Sequence, residues 1–256
     1  MQIRLIRHAT LQIRFAGKTL LVDPMLSPAS TMTPVPGVPD ARQNPVADLP
    51  VPVEQLLQPD AVLLTHRHRD HWDAAAAELL NKDIPVLCQP RDKAAIAEQG
   101  FRRLLPVRSS VEWAGIRIRR TGGRHGRGAL GRSLGPVSGF VLEAEGEPTL
   151  YIAGDTVWCA DVRKALERHQ PHVAVLFAGA ARFAEGSPVT MAERDIAEVC
   201  WAVPEMQVVV THMEAWNHCR LTRQELRQYV RGHGLARQVA VPEDGETLEF
   251  RDTAEA

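Results

Sequence analysis

The stretch LLTHRHRDHWD, residues 63–73, sets three histidines and an aspartate (His66, His68, Asp70 and His71) within six residues, directly after an apolar run. A packed core has little use for so many polar rings in one place, and a solvated loop has no need of them. A bound cation explains them, because neutral imidazole and carboxylate are the ligand set for zinc and for harder divalent ions. The bland alternative is a polar loop that happens to be rich in histidine, and the rest of the chain bears on it.

Further ligand-type residues stand at the ends of other apolar runs. LYIAG precedes Asp155 and VVVT precedes His212, just as VLLT precedes His66. His125 lies in the glycine-rich stretch TGGRHGRG after the strand-like IRIRRT. Strand ends in α/β layers converge on one rim, which is where such folds place their sites. These are more side chains than one tetrahedral ion takes, and spacing suggests a division. His66 and His68 chelate one ion from an extended turn, with His125 completing that site. Asp70 and His71 reach a second, completed by His212, with Asp155 bridging. Two-metal sites hold their ions about 3.5–4 Å apart and lower the pKa of a shared water towards roughly 7.

Around these positions the pattern is that of an α/β protein. IRLIRHATLQIRF alternates and TLLVDP returns after Ala16-Gly17-Lys18, which predicts an opening hairpin. Residues 24 to 59 hold half of the eighteen prolines, which excludes a helix or central strand there and predicts a long, ordered covering loop. Beyond it, DAVLLT, IPVLCQ, GFVLEAEGEPTLYIAGDT, HVAVLFAGA and QVVVTH read as strands, with VEWAGIRIRRT as strand, turn and strand. DAAAAELLN, RDKAAIAEQG and ADVRKALERH read as helices. Thr190 with Glu193, and Thr222 with Glu225, are spaced as capping boxes, and Leu221 with Leu226 as a hydrophobic staple. QVAVPEDGETLEF is expected to close the chain as a hairpin. With no repeat and no linker, residues 1–256 are expected to form one domain.

Composition narrows the function classes. Hydrophobic residues make up 45% and charged residues 24% of the 256, and the formal net charge is −1, so bulk electrostatics give no nucleic-acid footprint. The N-terminal MQIRLIRHATLQIRF has no apolar core of signal-peptide type, and no run is long enough to span a bilayer, so no membrane insertion is expected. Cys88, Cys159, Cys200 and Cys219 are scattered and form no framework, which reads as reduced thiols in a cytoplasmic protein. A small-molecule substrate is expected, and the sequence is compatible with a homo-oligomer.

The motif H-x-H-x-D-H followed in order by His, Asp and His resembles the metallo-β-lactamase superfamily, and the resemblance covers nearly the whole chain. IRHATLQIRFAGKTLLVDP, GRHG, YIAGDT and THMEAWNH resemble the branch containing L-ascorbate-6-phosphate lactonase and N-acyl-phosphatidylethanolamine phospholipase D. The resemblance implies a four-layer αβ/βα sandwich with two mixed sheets face to face and helices outside. It implies a dinuclear site on one edge, held by His66, His68, Asp70, His71, His125, Asp155 and His212, and hydrolysis by activated water. By analogy the bond is a lactone or other carboxylic ester. Phosphodiester cleavage is the nearest alternative, and an iron-dependent oxidoreductase of the same fold is another, although the diiron flavoprotein branch prefers Glu where this chain has His68. Two divalent ions are expected; zinc fits the donors, and manganese or iron would too.

Around the ligands, Asp70 is expected both to bind metal and to orient the nucleophile. His218 reads equally as a proton donor or a structural residue, and Glu214 likewise. Asp23 is either an acceptor that fixes a ligand histidine or a turn residue before Pro24. His8 reads as a partly buried structural histidine, with a site role as the rarer reading, and His169, His172 and His233 as residues at element ends. The flanking Arg67, Arg69, Arg124 and Arg127 read as solvated, with phosphate or carboxylate holding as the rarer role.

Overall fold

The computed structural model describes residues 1–184 and 186–251. The first sheet contains β1 (Gln2–Arg7), β2 (Thr10–Phe15), β3 (Lys18–Val22), β4 (Ala61–Leu64), β5 (Pro85–Cys88) and β6 (Arg103–Pro106) in sequential order. The second contains β7 (Ser110–Trp113), β8 (Ile116–Thr121), β9 (Gly139–Glu143), β10 (Leu150–Ile152), β11 (Val173–Phe177), β12 (Gln207–Thr211) and β13 (Val239–Ala240), also in sequential order. The last strand, β14 (Thr247–Glu249), crosses back to pair with β1 on the edge of the first sheet.

Alternation decides the layers. Along β3, Leu20 and Val22 face the second sheet while Leu21 faces outward, and along β11, Val173, Val175 and Phe177 face inward while Ala174 and Leu176 face outward. The inward set meets Leu63, Phe140, Leu150, Ile152 and Val209 in the core between the sheets. The outward faces are covered by helices: α1 (Ala74–Leu79) and α2 (Lys93–Glu98) on the first sheet, and α4 (Ala160–His169), α5 (Glu193–Ala202) and α6 (Arg223–Gly232) on the second. α3 (Gly128–Leu134) buries no residue and lies in the glycine-rich connection after β8. Strands covered on both faces need no polar side, which is why AVLL and VAVLF are unbroken apolar runs. The result is the expected four-layer sandwich.

Three local expectations differ from the structure. The opening hairpin is a three-stranded meander, because the chain reverses at His8-Ala9 and Arg7 pairs with Thr10. A two-residue turn alone would flip the inward parity, but the bulge between Leu5 and Arg7 restores it, so Ile3, Leu5, Leu11, Ile13 and Phe15 share one face and alternation alone conceals the turn. The final segment is not a hairpin: β13 runs parallel beside β12 and β14 antiparallel beside β1, in different sheets. Thr190 and Glu193 form no capping box. Thr190 Oγ1 accepts from Ala181 N instead, while Asp195 accepts from Ala192 N at the start of α5. The helical turn of α3 and the strand β6 had no distinct signal. The box at Thr222 and Glu225 forms as expected, and Leu221 and Leu226 pack in one cluster.

The proline-rich segment contains a 3-10 turn at Val53–Leu56 and a single bridge between Met32 and Asn44. The buried Arg7 guanidinium holds it from below, donating to the carbonyls of Met25, Ser27 and Ala47.

Candidate metal centre

One topological rule places every candidate ligand. In the first sheet β1, β3 and β4 run parallel to one another, since β1–β2 and β2–β3 are antiparallel and β3–β4 parallel. In the second, β8, β10, β11 and β12 share a direction for the same reason. The residues just past their C-terminal ends therefore gather on one rim: His8 after β1, Asp23 after β3, His66 after β4, His125 after β8, Asp155 after β10 and His212 after β12. The six-residue turn from His66 to His71 supplies the rest.

The side chains converge. His66, His68 and His125 can share one ion; His8, Asp70, His71 and His212 can share another; and His66, His71 and Asp155 lie close enough for a third grouping between them. Asp155 Oδ2 is 3.3 Å from His71 Nε2, 3.5 Å from His125 Nε2 and 3.9 Å from His66 Nε2, while its Oδ1 is 3.3 Å from His212 Nε2. Asp70 Oδ2 is 3.3 Å from His8 Nε2 and 3.5 Å from His212 Nε2. Thus all seven residues singled out as ligands come together, and so does His8. The turn at His8-Ala9 puts it at a strand end, where it is grouped with Asp70, His71 and His212. The two sheets are joined here, with His212 N donating to His8 O at 2.8 Å.

Behind the rings, acceptors set which nitrogen carries the hydrogen. Asp23 is the hub. Its carboxylate takes His71 Nδ1 at 2.8 Å, Thr65 N at 2.7 Å and Thr65 Oγ1 at 2.6 Å, and Thr65 Oγ1 in turn lies 3.1 Å from His66 Nδ1. His125 Nδ1 donates to Val189 O at 2.9 Å and His68 Nε2 to Leu134 O at 3.2 Å. His212 Nδ1 has Cys219 Sγ at 3.7 Å. With the outward nitrogens as donors, lone pairs face inward: His66 Nε2 meets His68 Nδ1 at 2.9 Å, and His71 Nε2 meets His212 Nε2 at 3.2 Å. Lone pairs facing each other at such distances call for a shared cation, a proton or a metal ion. Asp155 Oδ1, buried without a hydrogen-bond donor, adds the same demand. The residues therefore fit a divalent metal.

The electrostatics agree. Burial opposes ionisation of Asp70 and Asp155, yet the facing histidines outweigh it and hold both well below the usual carboxylate range. Burial also disfavours a charged His212, but Asp155, Cys219 and Asp70 raise its pKa to about 10. Burial pushes His8 and His66 well below the usual histidine value, with neighbouring histidines adding to the effect. The carboxylate pair thus calls for positive charge in a place that solvent does not reach.

The backbone is shaped for this convergence. His8, Asp23 and His212 have φ of 60°, 43° and 64°, left-handed values that cost non-glycine residues about 1–3 kcal/mol and persist where packing enforces them. Glycine is required at two neighbours: a Cβ on Gly154 would lie 2.5 Å from Ser138 O, and one on Gly179 would lie 2.0 Å from His212 O.

A cavity of about 220 Å³ opens onto the cluster, walled by Val35, Leu134, Phe183, Val189 and Trp216, with Arg69 and His218 among its polar lining. Arg69 is engaged, donating to Thr33 Oγ1 and Thr33 O and lying 5.5 Å over Trp216. Arg67 faces Asp92 and Arg127 faces Asp195. Glu214 pairs with Arg223 and lies outside both the cluster and the cavity lining, as do His169, His172 and His233. A larger cleft, about 730 Å³, lies at the opposite end of β11 and β12 and contains none of the cluster. No helix among the described residues is long and apolar enough to cross a membrane.

Comparison with known proteins agrees with this geometry. Residues 18–213 match the model of the beta-lactamase superfamily domain. The UPF0173 protein YddR of Bacillus subtilis is 36% identical over 98% of this chain and its own full length. A UPF0173 metal-dependent hydrolase of Azorhizobium caulinodans is 31% identical over 69% of this chain and 72% of its own. The crystal structure of an isothiocyanate hydrolase from Delia radicum gut bacteria superposes with a TM-score of 0.93 at 39% identity, covering 98% of this chain and all of that one. Matched by that domain model over most of its length and by these relatives at 36% and 31% identity, the chain belongs to the UPF0173 metal-dependent hydrolase family of the metallo-β-lactamase superfamily.

Proposed function

We propose that this hydrolase acts on small isothiocyanates, R–N=C=S, adding water across the central carbon and releasing the amine R–NH2 and carbonyl sulfide. The observation that carries the reading is the full-length likeness to an isothiocyanate hydrolase, supported by a small cavity whose walls are mostly apolar. An isothiocyanate has one electrophilic carbon and an apolar tail, and it needs no cationic clamp. The arginine that reaches the cavity is already bound to Thr33, which disfavours a phosphodiester.

The proposed metal arrangement is two divalent cations, one held by His66, His68 and His125 and the other by His8, Asp70, His71 and His212, with Asp155 between. Zinc suits the donors, as do manganese and iron. When bound, such ions supply Lewis acidity and bring the pKa of water to about 7. The chain's own residues do the rest. Asp70, facing His8, His71 and His212, orients the attacking water. The water oxygen bonds to carbon as the C=N π electrons move to nitrogen. The nitrogen takes one of the water's protons to give a thiocarbamic acid and then the second, from its O–H group, as the C–N bond breaks, which leaves the free amine and carbonyl sulfide. His218 lines the cavity and its Nδ1 has no hydrogen-bond partner, so it is placed to pass that proton. The apolar walls exclude bulk water.

The lactone or carboxylic-ester reading uses the same attack on an electrophilic carbon, and the likeness of IRHATLQIRFAGKTLLVDP, GRHG and YIAGDT to the lactonase branch supports it as the second reading. The test is a panel on metal-loaded protein: allyl and phenethyl isothiocyanate, lactones, p-nitrophenyl acetate and bis-p-nitrophenyl phosphate, with amine and carbonyl sulfide measured for the first group. Chelator-sensitive amine release, lost in Asp70→Asn, is the expected result. Turnover of lactones or phosphodiesters with no amine release would overturn the isothiocyanate reading.

A further inference from the structure

We infer that the buried amide pair Asn44–Asn217 is a latch that holds the proline-rich cover against the cavity, and that these two residues position the wall that selects substrate size. The inference rests on the cavity being the substrate pocket, and not on which electrophile enters it.

Both side chains are buried, and nearly all their hydrogen-bonding capacity is spent across the gap between two segments far apart in sequence. Asn217 N donates to Asn44 Oδ1 at 2.9 Å, and Asn44 Nδ2 donates back to Asn217 Oδ1 at 2.9 Å. The same Asn217 oxygen accepts from Val35 N at 3.0 Å, and Asn217 Nδ2 donates to Asp40 O at 2.6 Å and Val35 O at 3.4 Å. The bridge between Met32 and Asn44 closes the loop on itself, with N···O distances of 2.7 and 2.8 Å. One asparagine thus grips residues 35, 40 and 44 together.

Its place in the chain gives the grip a consequence. The neighbours of Asn217, Trp216 and His218, line the cavity, and Val35, which it holds, forms the facing wall. Three cavity-lining residues are therefore tied to one amide. A segment rich in proline has few backbone donors with which to anchor itself, so side chains from outside it do much of the holding: Arg7 from below, Arg69 at Thr33, and Asn217 at residues 35, 40 and 44. The distance between Val35 and Trp216 is set by this pair, and that distance limits the size of the group that fits beside the metal cluster.

The experiment uses the metal-loaded full chain with Asn217→Ala and, separately, Asn44→Asp, which keeps an acceptor, removes the donor and leaves the rim segment untouched. Amide hydrogen exchange is measured first and needs no substrate. The expected result is faster exchange by about tenfold at Val35 and Asn44, the effect of losing a buried hydrogen bond, with β11 and β12 and the metal content unchanged. Kinetics follow on a series of increasing side-chain size, using whichever electrophile the wild type turns over. KM should change more than kcat, and the preference between the smallest and largest members should shrink by about tenfold in step with the exchange. Unchanged exchange at Val35 and Asn44 would overturn the latch. Exchange that rises throughout the second sheet, or an unchanged size preference despite a loosened cover, would overturn its selective role. If Asn217→Ala does not fold, Asn44→Asp decides by the same readouts. Failure of the isothiocyanate reading leaves the exchange result standing.

Discussion

The first sheet delivers His66, His68, Asp70 and His71 from a single turn, whereas the second delivers His125, Asp155 and His212 from three loops that meet only after the sandwich has closed. The two groups are also supported differently. Behind the turn stands one carboxylate, Asp23, which holds His71 directly and His66 through Thr65. Behind the strand-end ligands stand a backbone carbonyl for His125, a thiol for His212 and tight glycine approaches at Gly154 and Gly179. The turn is thus governed by local chain geometry, with Asp23 behind His71 and His66 and the Leu134 carbonyl behind His68, and the strand ends by sheet packing. Damage to either should show in a different observable.

Removing a ligand from either half should have the largest effect. His71→Ala and His212→Ala are each expected to lower activity by more than about 10²-fold, beyond the range for partners that only orient a ligand. Metal content by mass spectrometry should fall in both. Retention of full metal content and activity by His212→Ala would mean that the strand-end half is dispensable, and the comparison would fail. Next comes the brace. Asp23→Asn keeps the shape and removes the charge, and it should weaken metal affinity about 10–100-fold, measured by competition with a chromogenic chelator. A loss no larger than that of a distant surface variant would show that Asp23 is only a turn residue before Pro24. The smallest effect on metal, but a clear one on folding, is expected from Gly154→Ala. Its φ of 70° and the approach to Ser138 O should cost about 1–3 kcal/mol, read as a lower denaturant midpoint. An unchanged midpoint would show that packing at this strand end is looser than the geometry says.

Legibility followed the same division. The turn was readable because its four ligands sit in one window after an apolar strand, and local spacing is what a sequence displays. His125, Asp155 and His212 were readable only through their order and their places after apolar runs. His8 escaped because its turn has no glycine or asparagine and the bulge between Leu5 and Arg7 puts the alternation back in step, so the run around it looks like one strand. The C-terminal segment departs from its pattern for a related reason: QVAVPEDGETLEF has the pattern of a hairpin, and nothing local reveals that β13 and β14 join opposite sheets. The capping box at Thr222 formed, while the one at Thr190 lost its threonine to Ala181 N, a partner nine residues away that only the folded chain supplies.

By itself the sequence determined the α/β class, the metal-binding chemistry and the covering role of residues 24 to 59, since period, donor type and proline content act within a few residues of themselves; the four layers followed from the family resemblance. Only the tertiary structure decided that His8 joins the cluster, that Asp23 braces it, and that Asn217 holds Asn44 and Val35. Each of these depends on strand direction and on distances between segments remote in the chain, and those are set by how two sheets close on a shared apolar core.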